Sequence, residues 1–300
     1  MEPNRPGGSS DPPGTSASVI SGRGPGRGGF LLGSTSEGCR AAVIAGVSTI
    51  VVFGAVIAIV VNSPGWPLFQ QSFLNSTYFW ESLPDQVDAI VTNIKLFLIA
   101  EILILPFALV LAVMRSLPGP VFFPMRLMAT VYVDFFRGVP GALVIFMLGF
   151  GMPALGLQGV PTDPFFWGVV ALVLLYSAYV SEVYRAGIDS VHPSQQAAAR
   201  SLGLSQVQAL RYVVIPQAIR RVIPPLLNVF IGLQKDTALV SFIGVVEVFR
   251  QAQIDEAAYF NFTPYLVTAL LFLILTVPLA RFTDWLMARN RRRELAGMAR

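Results

Sequence analysis

Six long apolar runs, broken by short polar segments, limit what this chain can fold into. They cover residues 43–61, 90–114, 127–152, 165–188, 218–248 and 265–287. A helix of roughly 20 mostly apolar residues is long enough to cross the hydrocarbon of a bilayer. Charged residues make up 13% of the chain, against about 25% in a soluble domain. The runs therefore predict an all-α polytopic membrane helix bundle. The first, second and last are uninterrupted enough to be plain spans. The middle three contain charges and breaks, and those interruptions are where function is expected.

Basic residues favour the cytoplasmic side of a membrane and assign an orientation. Arg5, Arg23, Arg27 and Arg40 precede the first run. Arg115 and Arg126 follow the second, Arg200 and Arg211 follow the fourth, and Arg289, Arg291, Arg292 and Arg293 follow the last. The alternate connections are free of Lys and Arg and hold Glu81, Asp85 and Asp88, then Asp163, then Asp255 and Glu256. Both termini are thus expected in the cytoplasm. The arginines are spread over separate cytoplasmic edges, which excludes a nucleic-acid surface as their purpose.

The expected organisation is a disordered Gly/Pro/Ser-rich tail over 1–42, an anchor over 43–61, an extracytoplasmic loop over 62–88, a membrane domain over 89–288 and a basic tail over 289–300. A tail of that composition cannot bury enough apolar area to fold. One cysteine, Cys39, leaves no intrachain disulfide. One histidine, His192, leaves no Cys/His dyad or metal cluster and reads as an ordinary loop residue. No G-x-x-x-x-G-K-[ST] run is present, so the chain does not bind ATP by a P-loop of its own.

Between the fourth and fifth runs lies the helix-forming stretch "QQAAARSLGLSQVQALRYVVIP", 195–216. Pro193 is expected to end the preceding helix, and Ser194 to cap a short helix through Leu202. Gly203 suits a left-handed turn, Ser205 and Gln208 have capping-box spacing, and Pro216 suits the first turn of the next span. The result is a helical hairpin over 194–216 in water, which either docks another protein or packs on its own spans.

In spacing, this hairpin resembles the coupling loop of permease subunits of ATP-binding cassette importers: Glu-Ala-Ala, three residues, Gly, nine residues, Ile-x-Leu-Pro. Ala198, Ala199, Gly203, Val213, Ile215 and Pro216 fall in register, and Ala197 stands where the pattern has glutamate. "YVDFFRGVPGALVIFMLGFGMP", "AYVSEVYRAGIDSV" and "PPLLNVFIGLQKDTALVSFIGVVEVFRQAQ" are similar to the polar amino acid uptake branch of those permeases. The resemblance covers about 83–289. It implies a five-span type I permease core, here with one extra N-terminal span, in a bacterial cytoplasmic membrane. It also implies a second permease subunit, separate ATPase subunits that hydrolyse the ATP, an extracytoplasmic solute-binding protein, an amino acid substrate and no cofactor. The ATPase-coupling residues would be Ala198, Ala199, Gly203, Leu204, Ser205, Ile215 and Pro216.

Charges inside the runs point to transport independently. Residues 140–152 make only about 20 Å of helix, so the third span must begin earlier and draw Asp134 and Arg137 toward the membrane. Gly138 and Pro140 are expected to break it. Lys235 and Asp236 interrupt the fifth run, Glu182 lies in the fourth and Glu101 in the second. Ionisable groups at membrane depth usually face a bundle interior or a wet cavity, and broken helices there build substrate sites. Asp134, Arg137, Glu182, Lys235 and Asp236 are the expected substrate path. The alternative is that Asp134–Arg137 and Lys235 with nearby acids only hold helices together. Glu101 reads as structural. Asn228, Gln234, Tyr179 and Ser177 are weaker candidates, since polar groups often serve as helix glue. A stand-alone secondary carrier or channel would use the same charges but has no need of the hairpin.

Overall fold

The computed structural model describes residues 36–298, with side chains at 40 and 42–289. Most of the expected N-terminal tail, the side chain of Cys39 and the arginines beyond Arg289 lie outside that description. The described residues are mostly helical, with no strand among them. Five helices are long and apolar enough to cross a membrane, or six when one bent pair is taken as a single span.

The chain divides into two units at Ser63. The first contributes α1 (Ser36–Val61), whose 42–61 stretch carries no charge and exposes its apolar side chains all round, as a lipid-facing span does.

The second unit begins with α2 (Trp66–Phe73) and α3 (Ser76–Ser116). The Asn75 side chain accepts from the Thr77 N–H and starts α3. At 41 residues, α3 is about 60 Å long, twice the hydrocarbon thickness. The segment expected as a loop over 62–88 is therefore largely helical. Its acids face out, while Ser82, Gln86, Ala89 and Asn93 recur at helical spacing and are buried on one face. That face packs on α10 (Val248–Tyr259), a second helix where a connection was expected. Glu247 caps α10 by accepting from the Phe249 and Arg250 N–H groups at 3.0 and 2.8 Å.

Buried polar groups weld this end of the unit. Asn93 Nδ2 donates to Thr237 Oγ1 and Glu247 Oε2, and Asn93 Oδ1 accepts from the Val248 N–H. Gln86 Nε2 donates to the Pro264 carbonyl and Gln86 Oε1 accepts from Thr268. Such groups are costly unless paired, and these pairs join α3, α10 and α11 (Thr263–Met298).

α6 (Pro164–Asp189) runs through the centre, packed by α3, α4 (Phe123–Gly138), α5 (Gly141–Ala154) and α9 (Ile215–Asp236). Leu96, Ile104, Ile145, Leu172, Val180, Leu233 and Val240 form the core between them. The third expected span is broken where the sequence placed the break: α4 and α5 meet at 103° across Val139 and Pro140. The fifth span ends earlier than expected. α9 stops at Asp236, tightens into a 3₁₀ turn over Thr237–Ile243, and reverses at Gly244, φ +88°.

α5 packs on that turn so closely that Gly149 has no room for a side chain. A Cβ there would meet Ile243 Cβ at 2.8 Å, whereas one at Gly151 meets nothing within 4 Å. Gly149→Ala should destabilise by about 1–3 kcal/mol through overpacking. Gly151→Ala should not, since helix propensity favours it. Thermal unfolding of the two purified variants checks this, and equal midpoints would contradict the packing.

Candidate functional site

Two places combine unusual local structure with polar groups: the hairpin after α6, and the helix interruptions near Asp236.

The first arm of the hairpin is α7 (Pro193–Ser201). Its cap is His192 rather than Ser194. His192 Nδ1 accepts from the Ser194 N–H at 3.2 Å and lies 2.7 Å from Ser194 Oγ. Proline at the first helical position explains the shift. It lacks the N–H that would be orphaned there, and it holds the residue before it extended, which is the geometry of a cap. α6 has already stopped at Asp189, so Pro193 starts a helix instead of ending one. Loss of a cap costs about 1 kcal/mol. His192→Ala should accelerate hydrogen exchange of the first α7 amides, and His192→Asn should not. Equal exchange in both would contradict the capping role.

Gly203 adopts φ +89°, and the Gly203 and Leu204 N–H groups donate to Arg200 and Ala199 carbonyls, closing α7. Ser205 and Gln208 form a reciprocal capping box at the start of α8 (Gln206–Ala209). α8 does not end before the next span. A π turn over Leu210–Val214 carries it into α9, with Pro216, which has no N–H to donate backward, in the first turn. The second arm and α9 are therefore one helical run, Gln206–Ile243 with its 3₁₀ end.

Val191, Val214 and Ala218 pack the base of the hairpin, and the Arg221 guanidinium donates to the Ser190 carbonyl. Ala199 and Ala209 are buried between the arms, so the small Ala199 side chain serves the hairpin's own packing. Ala198, Gly203, Ser205, Ile215 and Pro216 are exposed, and Leu204 is half-buried. Large apolar groups also face out: Leu202 is 84% exposed, Val207 73% and Tyr212 62%. The sequence reading singled out none of these three as contacts. Their signal was apolar side chains in an otherwise polar hairpin.

At the interruptions, Asp236 Oδ2 accepts from the Tyr176 hydroxyl at 2.7 Å. Both line a cavity of about 240 Å³ with Tyr179, Gly141 and Gly232. The start of α5 and the end of α9 thus meet at one cavity, and Tyr176, unremarked in the sequence, lies one turn from Tyr179. The other path residues sit elsewhere. Lys235 is exposed and forms no ion pair among the described residues; Asp134 is exposed on α4.

Asp134 does not pair with Arg137. Arg137 instead approaches Glu182 Oε1 at 3.6 Å. Arg115 and Arg185 also bind Glu182, the latter at 3.1 Å, so one carboxylate is shared by three guanidinium groups. Ser177 bonds to Tyr132, Gln234 accepts from Thr276, and Asn228 is exposed. Both carboxylate oxygens of Glu101 are buried without a partner among the described residues.

Comparison with known proteins gives this geometry a setting. Residues 104–292 match the family model described as "Binding-protein-dependent transport system inner membrane component". The probable glutamine ABC transporter permease protein GlnM of Bacillus subtilis is 38% identical over 179 residues, 59% of this chain and 80% of that protein. The probable amino-acid ABC transporter permease protein PatM of Vibrio harveyi is 32% identical over 213 residues, 71% of this chain and 94% of that protein. A crystal structure of an amino acid ABC transporter with histidines superposes with a TM-score of 0.66 at 32% identity, over 72% of this chain and 98% of that one. The MetNI methionine ABC transporter in an inward-facing form shares the fold, with a TM-score of 0.51 at 18% identity. With nearly two thirds of its length matched, this chain belongs to the family of binding-protein-dependent transport system inner membrane components.

Proposed function

We propose that this chain is the permease subunit of an ATP-driven importer of polar amino acids. It pairs with a second permease, docks a separate ATPase on its hairpin, and receives the amino acid from an extracytoplasmic binding protein. Both termini face the cytoplasm. The observation that carries this reading is the unbroken helical run from α8 through α9 to Asp236. A displacement of the hairpin is passed along a helix to the end that borders the cavity.

The cavity suits a zwitterion. The N-terminus of α5 at Gly141 offers the positive end of a helix dipole and unpaired N–H groups to a carboxylate. Asp236 and the two tyrosine hydroxyls suit an ammonium group. Arg137, Asp134 and Lys235 complete the path in the assembled transporter, and Glu182 acts there by holding Arg137. The apolar residues on the outside of the hairpin disfavour a stand-alone carrier, because an exposed apolar patch in water marks a contact surface.

The test is uptake of labelled amino acids by proteoliposomes holding permease, ATPase and binding protein. Uptake should require both ATP and the binding protein, and uptake without ATP would contradict the proposal. Orientation is tested separately in a Cys39→Ser background. An impermeant thiol reagent should reach Ser76→Cys in sealed cells, and Gln206→Cys only after permeabilisation. Labelling of position 206 in sealed cells would reverse the topology.

A further inference from the structure

We infer that the hairpin end of the bundle carries a phosphate-recognition pocket for the headgroup of an anionic phospholipid. This goes beyond the transport reading and requires only that these helices cross a bilayer. A cavity of about 340 Å³ is lined by Arg115, Phe123, Arg126, Leu127, Thr130 and Arg185. That volume lies within the range of small-ligand sites. Its three guanidinium groups come from three elements: the last turn of α3, the first turn of α4 and the last turns of α6.

The charge around it is not balanced. Arg115, Arg126, Arg137 and Arg185 face two carboxylates, Glu182 and Asp189. Arg126 donates to the Leu117 carbonyl at 2.8 Å and reaches no carboxylate among the described residues. Arg185 spends its terminal nitrogens on Glu182 and Asp189, so among the described residues of the pocket Arg126 is the guanidinium without an anion. A phosphate is an anion that the planar guanidinium fork of Arg126 fits, and it would offset the surplus positive charge.

The surroundings select a lipid over a soluble anion. Phe123 and Leu127 are 56% and 51% exposed on the rim of the same cavity. They sit where α3 and α6 end their apolar courses, so a phosphate held by the arginines leaves its acyl chains against apolar side chains. Basic pockets between spans at a membrane surface bind phospholipid headgroups by this chemistry.

The test uses the assembled permease–ATPase complex, delipidated in a mild detergent. Native mass spectrometry reads retention of a diacyl phosphatidylglycerol, a diacyl phosphatidylcholine and, in a separate arm, inorganic phosphate. Phosphatidylglycerol should bind in preference to phosphatidylcholine. Arg126→Gln should weaken that binding about fivefold, the effect of one surface arginine, while Arg126→Lys retains most of it. If Arg126→Gln fails to assemble, Phe123→Ser with Leu127→Ser serves instead, and should lower phosphatidylglycerol retention with every arginine in place. Equal retention of the two lipids, or retention unchanged by these substitutions, would overturn the inference. Inorganic phosphate binding as well as phosphatidylglycerol would overturn it in favour of a soluble ligand.

Discussion

Glu182→Gln should cost the assembled protein about 3 kcal/mol and remove most of it from the folded fraction. Breaking a buried ion pair by deleting one partner leaves the other charge uncompensated. Here the deletion leaves Arg115 and Arg137 with no carboxylate among the described residues; Arg185 keeps Asp189, and the cost falls mainly on Arg115. Arg115 has the least recourse to water, with its side chain 14% exposed. Asp189→Asn is the contrast. Asp189 also binds Arg185, but its side chain is 63% exposed, and a surface pair contributes at most about 1 kcal/mol. The measurement is the monodisperse fraction and unfolding midpoint of each variant in detergent, with uptake measured alongside. If Glu182→Gln assembles as well as the parent and fails only in uptake, Glu182 acts in the path and not as the hub of the cluster.

What the sequence made legible follows from the range of the interactions concerned. The spans and the break at Gly138–Pro140 were readable because hydrocarbon thickness and proline geometry act locally. The capping box at Ser205–Gln208 and the turn at Gly203 were readable for the same reason. The sequence placed Asp134 beside Arg137 because it shows only neighbours in the chain. Their helical offset was compatible with pairing, yet α6 brings Glu182 to Arg137 instead. Asp255 was placed in a polar connection, and nothing in the local sequence singles out Gln86 or Asn93. Each is buried against a partner more than 140 positions away in the chain. The helices over 66–88 and 248–259 were missed because charge was read as loop, although their buried positions have helical spacing. His192 was missed as a cap because serine next to it is the commoner one.

The second large effect is expected at the hairpin, and it separates docking from folding. Leu202 and Val207 make little use of the chain they belong to, being 84% and 73% exposed. Substituting such positions usually changes stability by no more than about 0.5 kcal/mol. Leu202→Asp and Val207→Asp should therefore insert, fold and bind a partner permease as the parent does. If these residues fill an apolar groove on the ATPase, each variant buries an unpaired carboxylate in the interface. Apolar anchors at the centre of an interface cost about 2 kcal/mol or more when lost, which is roughly a 30-fold drop in affinity. Capture of the ATPase by the solubilised permease, and ATP-dependent uptake, should fall together by about that factor. Gly203→Asp mixes two effects, because φ +89° is strained for any side chain and the hairpin itself would loosen. The two exposed positions avoid that ambiguity. ATPase capture and uptake at parental levels in both variants would exclude this face of the hairpin as the coupling surface. The contact would then have to lie elsewhere on the hairpin.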